Sequence, residues 1–323
     1  MKERATRKNI AGLFSVLPTP FAADGTLDES LFGRMLKALA PYRFRGLVLS
    51  GTNGEYFSTS RRDRIRIVEL TAEFFGGQGP LLVANSTSLT LGDATELGRD
   101  LVRAGADALI NIPTLGTQFP HLPYIEYWRR LAGGVGDVPL LMYTMASLNQ
   151  LPATATIAAT AAAVPTICGT KEGHNDLARW EQLQGSTDIV AIPADDFHWI
   201  EYYTKGCTSF MTPTASMLPA AAVQMHEQLL RRPRDQQWPG ETCTAYQAAF
   251  IQLWKTLVSL PALADHHLVA RVKATCKLAG YFDPGHVAPP IFDLPEPALR
   301  ALEKEIRGIL ALAGARPGDG ASS

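Results

Sequence analysis

Residues 139–170 hold the run Pro139-Leu140-Leu141-Met142-Tyr143, an Ala-rich segment over 153–163, and the run Thr166-Ile167-Cys168-Gly169-Thr170. Both runs are nearly continuous in apolar or small side chains, the pattern of strands covered on both faces in a parallel sheet. The segment between them combines high helix propensity with small side chains, so it can lie close against that sheet. Pro152 and Pro165 stop it at either end. The stretch reads as one β-α-β unit.

Six more short β-rich runs, several of them likewise nearly continuous, lie on either side, over 12–17, 46–50, 80–84, 108–112, 188–192 and 208–212. The intervals have helical character. Leu31, Met35 and Leu39 recur at helical spacing behind a Thr26-x-x-Glu29 capping box. Ile65, Val68, Ala72 and Phe75 mark one face of a second helix, whose other face carries Arg61, Arg62, Arg66 and Glu69. Leu97 and Leu101 mark a third. Eight strands alternating with helices within roughly 215 residues predict an α/β fold, a (β/α)8 TIM barrel. A doubly wound open sheet competes, but the glycine cluster Gly133-Gly134-Val135-Gly136 precedes a strand instead of following one, the wrong context for a pyrophosphate turn. Past Pro219 the strand signals stop, and helices are expected over 246–257, 266–278 and 296–312. The expected division is a catalytic barrel over 9–230, a C-terminal helical region over 231–313, and flexible tails over 1–8 and 314–323. Arg231-Arg232-Pro233-Arg234 reads as a solvated connection between the two.

The chain has 323 residues, 46% apolar and 19% charged, with a net charge of -1. Such apolar content excludes disorder for most of the chain, and the charge balance gives no reason to expect nucleic acid or an anionic membrane as partner. No stretch approaches ~18–20 uninterrupted apolar residues, and no apolar segment follows the basic start as in a secretory signal. Cys168, Cys207, Cys243 and Cys276 stand far apart and are expected as reduced thiols in a cytoplasmic protein. No metal motif is found; the adjacent His266 and His267 would point about 100° apart on a helix and chelate poorly. No metal or other cofactor is expected.

In a barrel, active-site groups lie at the C-terminal ends of strands and in the loops beyond. Of nine lysines, Lys171 alone directly follows a predicted strand. Burying a lysine there favours neutral amine, the form that attacks a carbonyl to give a Schiff base. The alternative is a lysine that reaches the rim or pairs with Glu172. Tyr143 ends the preceding strand, and neighbouring strands ~4.8 Å apart let the two side chains converge. The phenol then serves as general acid/base, or the ring merely fills the barrel mouth. Ser50-Gly51-Thr52-Asn53-Gly54-Glu55 forms a tight turn whose N–H groups suit a carboxylate.

Together these segments resemble the dihydrodipicolinate synthase / N-acetylneuraminate lyase family of class I, Schiff-base aldolases. The resemblance runs from Leu17-Pro18-Thr19-Pro20-Phe21 and Asp24-Gly25 through residues 51–55, Tyr143 and Gly169-Thr170-Lys171-Glu172. It continues into Ala194-Asp195-Asp196, Lys205-Gly206 and Val272-Lys273. It implies that Lys171 forms an imine with pyruvate or another 2-keto acid, that Tyr143 shuttles the proton, and that Thr52 and Asn53, beside Gly51, bind the carboxylate. Ala194 and Asp196, past the seventh strand, are expected at the substrate, although Asp195 or Asp196 could instead cap a helix over 197–204. His174 and Asn175 either face the cavity or cap the next helix. Phe210 and Met211 are expected to supply apolar wall against the imine. A homo-oligomer, dimer or tetramer, follows from the resemblance alone.

Several positions depart from the family. Its tyrosine-asparagine-x-proline run is here Tyr143-Thr144-Met145-Ala146. The synthases' arginine for the second substrate's carboxylate is Leu148, and the aromatic pair after their fourth strand is missing from Ile112-Pro113-Thr114-Leu115-Gly116. Both losses argue against lysine-pathway synthase activity. Sialate lyases also carry leucine at the position of Leu148, but Phe197 replaces one of their polar groups, and Asn53 replaces the family's usual second hydroxyl. The expected activity is therefore a lyase acting on a pyruvate-derived 2-keto acid. The alternatives are a 2-keto-3-deoxy sugar acid dehydratase sharing the imine, and a catalytically idle barrel that binds a keto acid.

Overall fold

The computed structural model describes residue 6 and residues 10–113, 121–145, 151–231 and 241–314. Eight parallel strands alternate with helices: β1 Leu13–Val16, β2 Gly46–Leu49, β3 Leu81–Asn85, β4 Ala108–Asn111, β5 Leu140–Thr144, β6 Ile167–Glu172, β7 Val190–Pro193 and β8 Phe210–Thr212. Hydrogen bonding runs in the order β7-β6-β5-β4-β3-β2-β1-β8, and β7 lies beside β8 to bring the sheet round into a nearly closed barrel. This is a (β/α)8 TIM barrel. Lys171 lies inside β6 instead of beyond it, because that strand runs two residues further than its apolar run.

Two apolar layers hold the barrel. Phe14, Val48, Val83, Ile110, Leu141 and Met211 fill its interior, while Leu13, Leu47, Leu82, Leu109, Leu140 and Phe210 face the helices. Successive strand residues point to opposite faces, which sorts the two sets. Gly46 is needed inside, since a Cβ there would lie 2.3 Å from Cε1 of Phe14.

The helices of the barrel are α1 Glu29–Leu39, α2 Arg61–Phe75, α3 Leu91–Arg103, α4 His121–Val135, α5 Thr154–Ala163, α6 Leu177–Ser186, α7 Trp199–Thr204, α8 Thr214–Met217 and α9 Pro219–Arg231. Two helical details differ from the sequence reading. Asp28, not Thr26, caps α1, accepting from the Leu31 N–H, while Thr26 bonds to Asp24. The buried stripe of α2 is Arg64, Ile67, Val68 and Thr71, one position round from the predicted face, because the Arg64 guanidinium finds backbone carbonyls inside.

Beyond the barrel come α10 Glu241–Ser259, α11 Leu268–Ala279 and α12 Glu296–Leu312, which pack on one another. They are tied to the barrel by polar bonds as well, the Trp254 indole donating to Thr214 at 2.8 Å and Gln247 to Glu201 at 2.9 Å. His267 caps α11, its Nδ1 accepting from the Val269 N–H. None of the four cysteines is in a disulfide, and all four are buried. Among the described residues no helix is long and apolar enough to cross a membrane, and no cluster of His, Cys, Asp or Glu is arranged to hold a metal ion. Residues 114–120, residues 146–150, including Leu148, and the segment 232–240 lie outside the described residues.

Candidate active site

The C-terminal ends of β5 and β6 bring Tyr143 and Lys171 opposite one another in register. Both side chains point into the barrel, 6% and 3% exposed, and the lysine Nζ stands 4.3 Å from the centroid of the tyrosine ring. Lys171 has no ion pair with a carboxylate among the described residues. Its neighbour Glu172 faces the other way, toward the helices, where it accepts from Thr170 Oγ1 at 2.8 Å and pairs with Arg179 of α6 at 3.2 Å. The pairing of Lys171 with Glu172 considered from the sequence is therefore absent. Gly173 closes over the tyrosine: a Cβ there would meet the Thr144 carbonyl oxygen at 2.6 Å and Tyr143 Cε2 at 3.0 Å.

The second element is the turn after β2. Gly54 N–H and Tyr56 N–H donate to the Gly51 carbonyl, and Glu55 N–H to that of Thr52. A Cβ on Gly54 would lie 2.9 Å from the Leu17 carbonyl oxygen, so only glycine fits that close approach. Ser50 and Glu55 flank the turn at φ of 50° and 58°, a left-handed conformation that non-glycine residues rarely adopt and that gathers at functional sites. The buried Thr52 Oγ1 has no partner, nor do the N–H groups of Thr52 and Asn53 among the described residues. Such a concavity, with an unspent hydroxyl and unspent N–H groups, can take a carboxylate. Glu55 anchors its far end through a buried ion pair, Oε1 lying 2.6 Å from Nζ of Lys273. Burial pushes the Glu55 carboxyl up and the Lys273 ammonium down, and each charge partly offsets the shift of the other.

Tyr56, next in the chain, packs against the interior cluster that contains Tyr143. Burial raises its phenol, the nearby Tyr143 adds to the rise, and the Arg64 guanidinium, 6.0 Å from the ring centroid, opposes it. The sequence reading gives no role to Tyr56, Arg64 or, within the quoted turn, Ser50. An aromatic directly after the glycine-flanked turn and an arginine on the apolar face of α2 were the available signals. A further polar network at the ends of β3 and β4 also escaped notice: Asn111 donates to Ser86 Oγ and accepts from Tyr127 OH, and Thr87 Oγ1 bonds to Asn85 Oδ1.

The remaining predicted site residues divide. Gly51 is buried against Val16 and Val48, and Asn53 is half-buried in the turn. Ala194 directly follows β7, its N–H donated to the Glu172 carbonyl at 3.0 Å, and is half-buried at the barrel mouth. Asp196 is buried, accepting from Thr212 Oγ1 at 2.6 Å, and burial raises its carboxyl to about 7. Asp195 accepts from the Phe197 N–H and bonds to His198 ahead of α7, so neither aspartate caps that helix. His174 turns to Glu172, Nε2 at 3.4 Å, on the helix side of β6 and away from the lysine. Burial lowers its imidazole pKa. Phe210 is corrected outright: it stacks on Trp199, centroids 4.2 Å apart and planes at 10°, in the layer between barrel and helices. Met211 alone of that pair faces the interior, because neighbours on a strand alternate.

Comparison with known proteins agrees with this arrangement of strands. The model of the dihydrodipicolinate synthetase family matches residues 9–309. A 4-hydroxy-tetrahydrodipicolinate synthase of Symbiobacterium thermophilum is 28% identical over 306 residues, covering 94% of this chain and 97% of its own. A protein of Bradyrhizobium diazoefficiens named "Probable 5-dehydro-4-deoxyglucarate dehydratase" is 23% identical over 307 residues, 94% of this chain and 93% of its own. Among solved structures, a catalytic lysine mutant of the Ruminococcus gnavus sialic acid aldolase has the same fold, with a TM-score of 0.84 at 16% identity over 97% of this chain and 99% of its own. The chain, with its eight-stranded barrel and a lysine-tyrosine pair inside it, belongs to the dihydrodipicolinate synthetase family, within the class I aldolase superfamily.

Proposed function

We propose that the protein is a Schiff-base lyase acting on a pyruvate-derived 2-keto acid, by aldol cleavage or the reverse condensation. The observation that carries this reading is the buried Lys171 side chain over the Tyr143 ring, with no carboxylate paired to it among the described residues. The Lys171 nitrogen adds to the ketone at C2, and loss of water leaves a protonated imine. A base removes the proton of the C4 hydroxyl; the C3–C4 bond breaks, an aldehyde departs, and the electron pair moves into an enamine. Protonation at C3 and hydrolysis then release pyruvate and restore the amine. In this reading Tyr143 carries these protons, and Thr52, Asn53 and the turn N–H groups take the carboxylate.

Leu148 and residues 112–116 favour this over the synthase activity named for the Symbiobacterium relative, since both positions lack the side chains that synthases use. A second reading, dehydration of a 2-keto-3-deoxy sugar acid through the same imine, is supported by the full-length Bradyrhizobium relative. Product analysis separates them, because only cleavage yields pyruvate with an aldehyde. We further propose a cytoplasmic homo-oligomer, its assembly to be measured by sedimentation.

The test of the imine is borohydride trapping with pyruvate, read by intact mass. An adduct is expected on the native chain and none on Lys171→Ala. No adduct with any 2-keto acid overturns both readings and leaves a barrel without imine chemistry.

A further inference from the structure

The turn that carries Thr52 and Asn53 is clamped from outside the barrel. Glu55, at its end, is completely buried; one carboxylate oxygen meets the Lys273 ammonium at 2.6 Å, and the other accepts the Ala288 N–H at 2.8 Å. Lys273, on α11, also donates to the His286 carbonyl and lies 4.9 Å from the centroid of the Phe21 ring. Its partners are thus a glutamate at the barrel mouth and a carbonyl just past its own helix.

Neither charge has a task in the imine chemistry, and no described contact joins either to Lys171 or Tyr143. Removing two ions from water carries a large desolvation penalty, and well-packed neutral residues of similar volume often serve stability as well or better. What the pair does specify is geometry. Glu55 sits at positive φ, and its main chain is fixed too, its carbonyl accepting from Thr59 Oγ1 at 2.8 Å and its N–H bonding to Thr52. Pulling on its side chain therefore pulls on the peptide that presents the unspent Thr52 hydroxyl.

We propose that Lys273 is a positioning residue for the keto-acid carboxylate: by clamping Glu55 it holds the turn over 51–55 in the shape that aims Thr52 and the free N–H groups into the barrel mouth. The proposal rests on the imine reading above and extends it to the C-terminal helices, which thereby set substrate affinity without touching substrate.

The experiment measures trapping of the Lys171 adduct against concentration for pyruvate and for methyl pyruvate, which lacks the negative charge. The variants are Lys273→Met, the neutral pair Glu55→Gln with Lys273→Met, and Glu55→Asp, which keeps the ion pair but shortens its arm. In folded variants the half-saturating pyruvate concentration is expected to rise tenfold or more for the neutral pair and about fivefold for Glu55→Asp, while methyl pyruvate is unchanged, the signature of carboxylate positioning. Lys273→Arg is expected to recover part of the loss. Should the methionine variants fail to fold, Glu55→Asp alone decides. Half-saturation within twofold of the native chain, or an equal loss for both ligands, overturns the clamp and leaves a structural ion pair. A native chain that traps no keto acid overturns the imine reading instead.

Discussion

Asp196 offers a stability measurement whose sign and size follow from its surroundings. It lies 2% exposed past β7, accepting from Thr212 Oγ1. Burial is the largest influence on its carboxyl and raises it from 3.8 to about 7; hydrogen bonds from Thr212 and Thr214 oppose the rise, and the Asp195 charge adds to it. The native state therefore binds this proton more tightly than the unfolded chain, where the group titrates near ~3.9. Between those values the folded protein carries more protons than the unfolded one, so stability falls as pH rises. The contribution is fully present below the unfolded value and is lost as pH passes about 7. From pH ~5 to ~8, about two pH units lie below the native value, and at ~1.4 kcal/mol each the loss is roughly 3 kcal/mol. Asp196→Asn keeps an acceptor for Thr212 and removes the titration. Guanidinium unfolding at fixed protein concentration, followed by tryptophan fluorescence, should find the two proteins nearly equal at pH ~5 and the variant more stable by roughly 3 kcal/mol at pH ~8. A difference flat to within ~0.5 kcal/mol across that range would refute the buried-acid account.

Three further substitutions probe the site and its frame. Tyr143→Phe keeps the ring beside Lys171 but removes the hydroxyl; turnover should fall ~10²–10⁴-fold while the trapped adduct still forms, and unchanged turnover would remove the phenol from the proton path. Gly173→Ala drives a methyl to 2.6 Å from the Thr144 carbonyl oxygen and 3.0 Å from the Tyr143 ring. It should cost about 1–3 kcal/mol in denaturant unfolding and slow catalysis, and a variant with native values for both would show that the strand end yields freely. Phe210→Ala deletes the ring stacked on Trp199. A loss of about 3–5 kcal/mol is expected, with kinetic constants of the folded enzyme within about twofold of native, whereas a selective rise in KM would return Phe210 to the substrate wall.

What could be read in the sequence, and what could not, has a common physical origin. Strands buried on both faces write themselves as short β-rich runs, several of them nearly unbroken in apolar residues, so all eight could be located from the order of residues along the chain. The same continuity erases the alternation that tells inside from outside, which is why Phe210 and Met211 could not be told apart. Lys171 and Tyr143 stood out because polar groups at the ends of such runs are rare enough to notice. The Glu55–Lys273 pair was invisible as a pair, since its members stand 218 positions apart in the chain and nothing local marks either as buried. On α2 the apolar spacing pointed one position away from the buried stripe, because a guanidinium that can donate to the Asn85 and Thr87 carbonyls occupies an inward position no hydrophobic pattern would assign it.

The direction in which Lys171 points depends on a single extra residue. Ile167 faces the helices and Cys168 the barrel interior. Strict alternation from there would send Gly169 out, Thr170 in and Lys171 out, toward α6 and Arg179. The register breaks instead between Leu140 and Leu141: Leu140 pairs with Ile167, Leu141 with Gly169, and Cys168 is left over. One inserted residue reverses the phase of everything after it, so Thr170 and Glu172 turn outward to bond one another and Lys171 turns inward onto Tyr143. Gly169 suits the irregularity, because a Cβ there would lie 3.0 Å from the Val190 carbonyl oxygen. The bulge thus decides whether this lysine points toward α6 and Arg179 or into the barrel mouth over Tyr143.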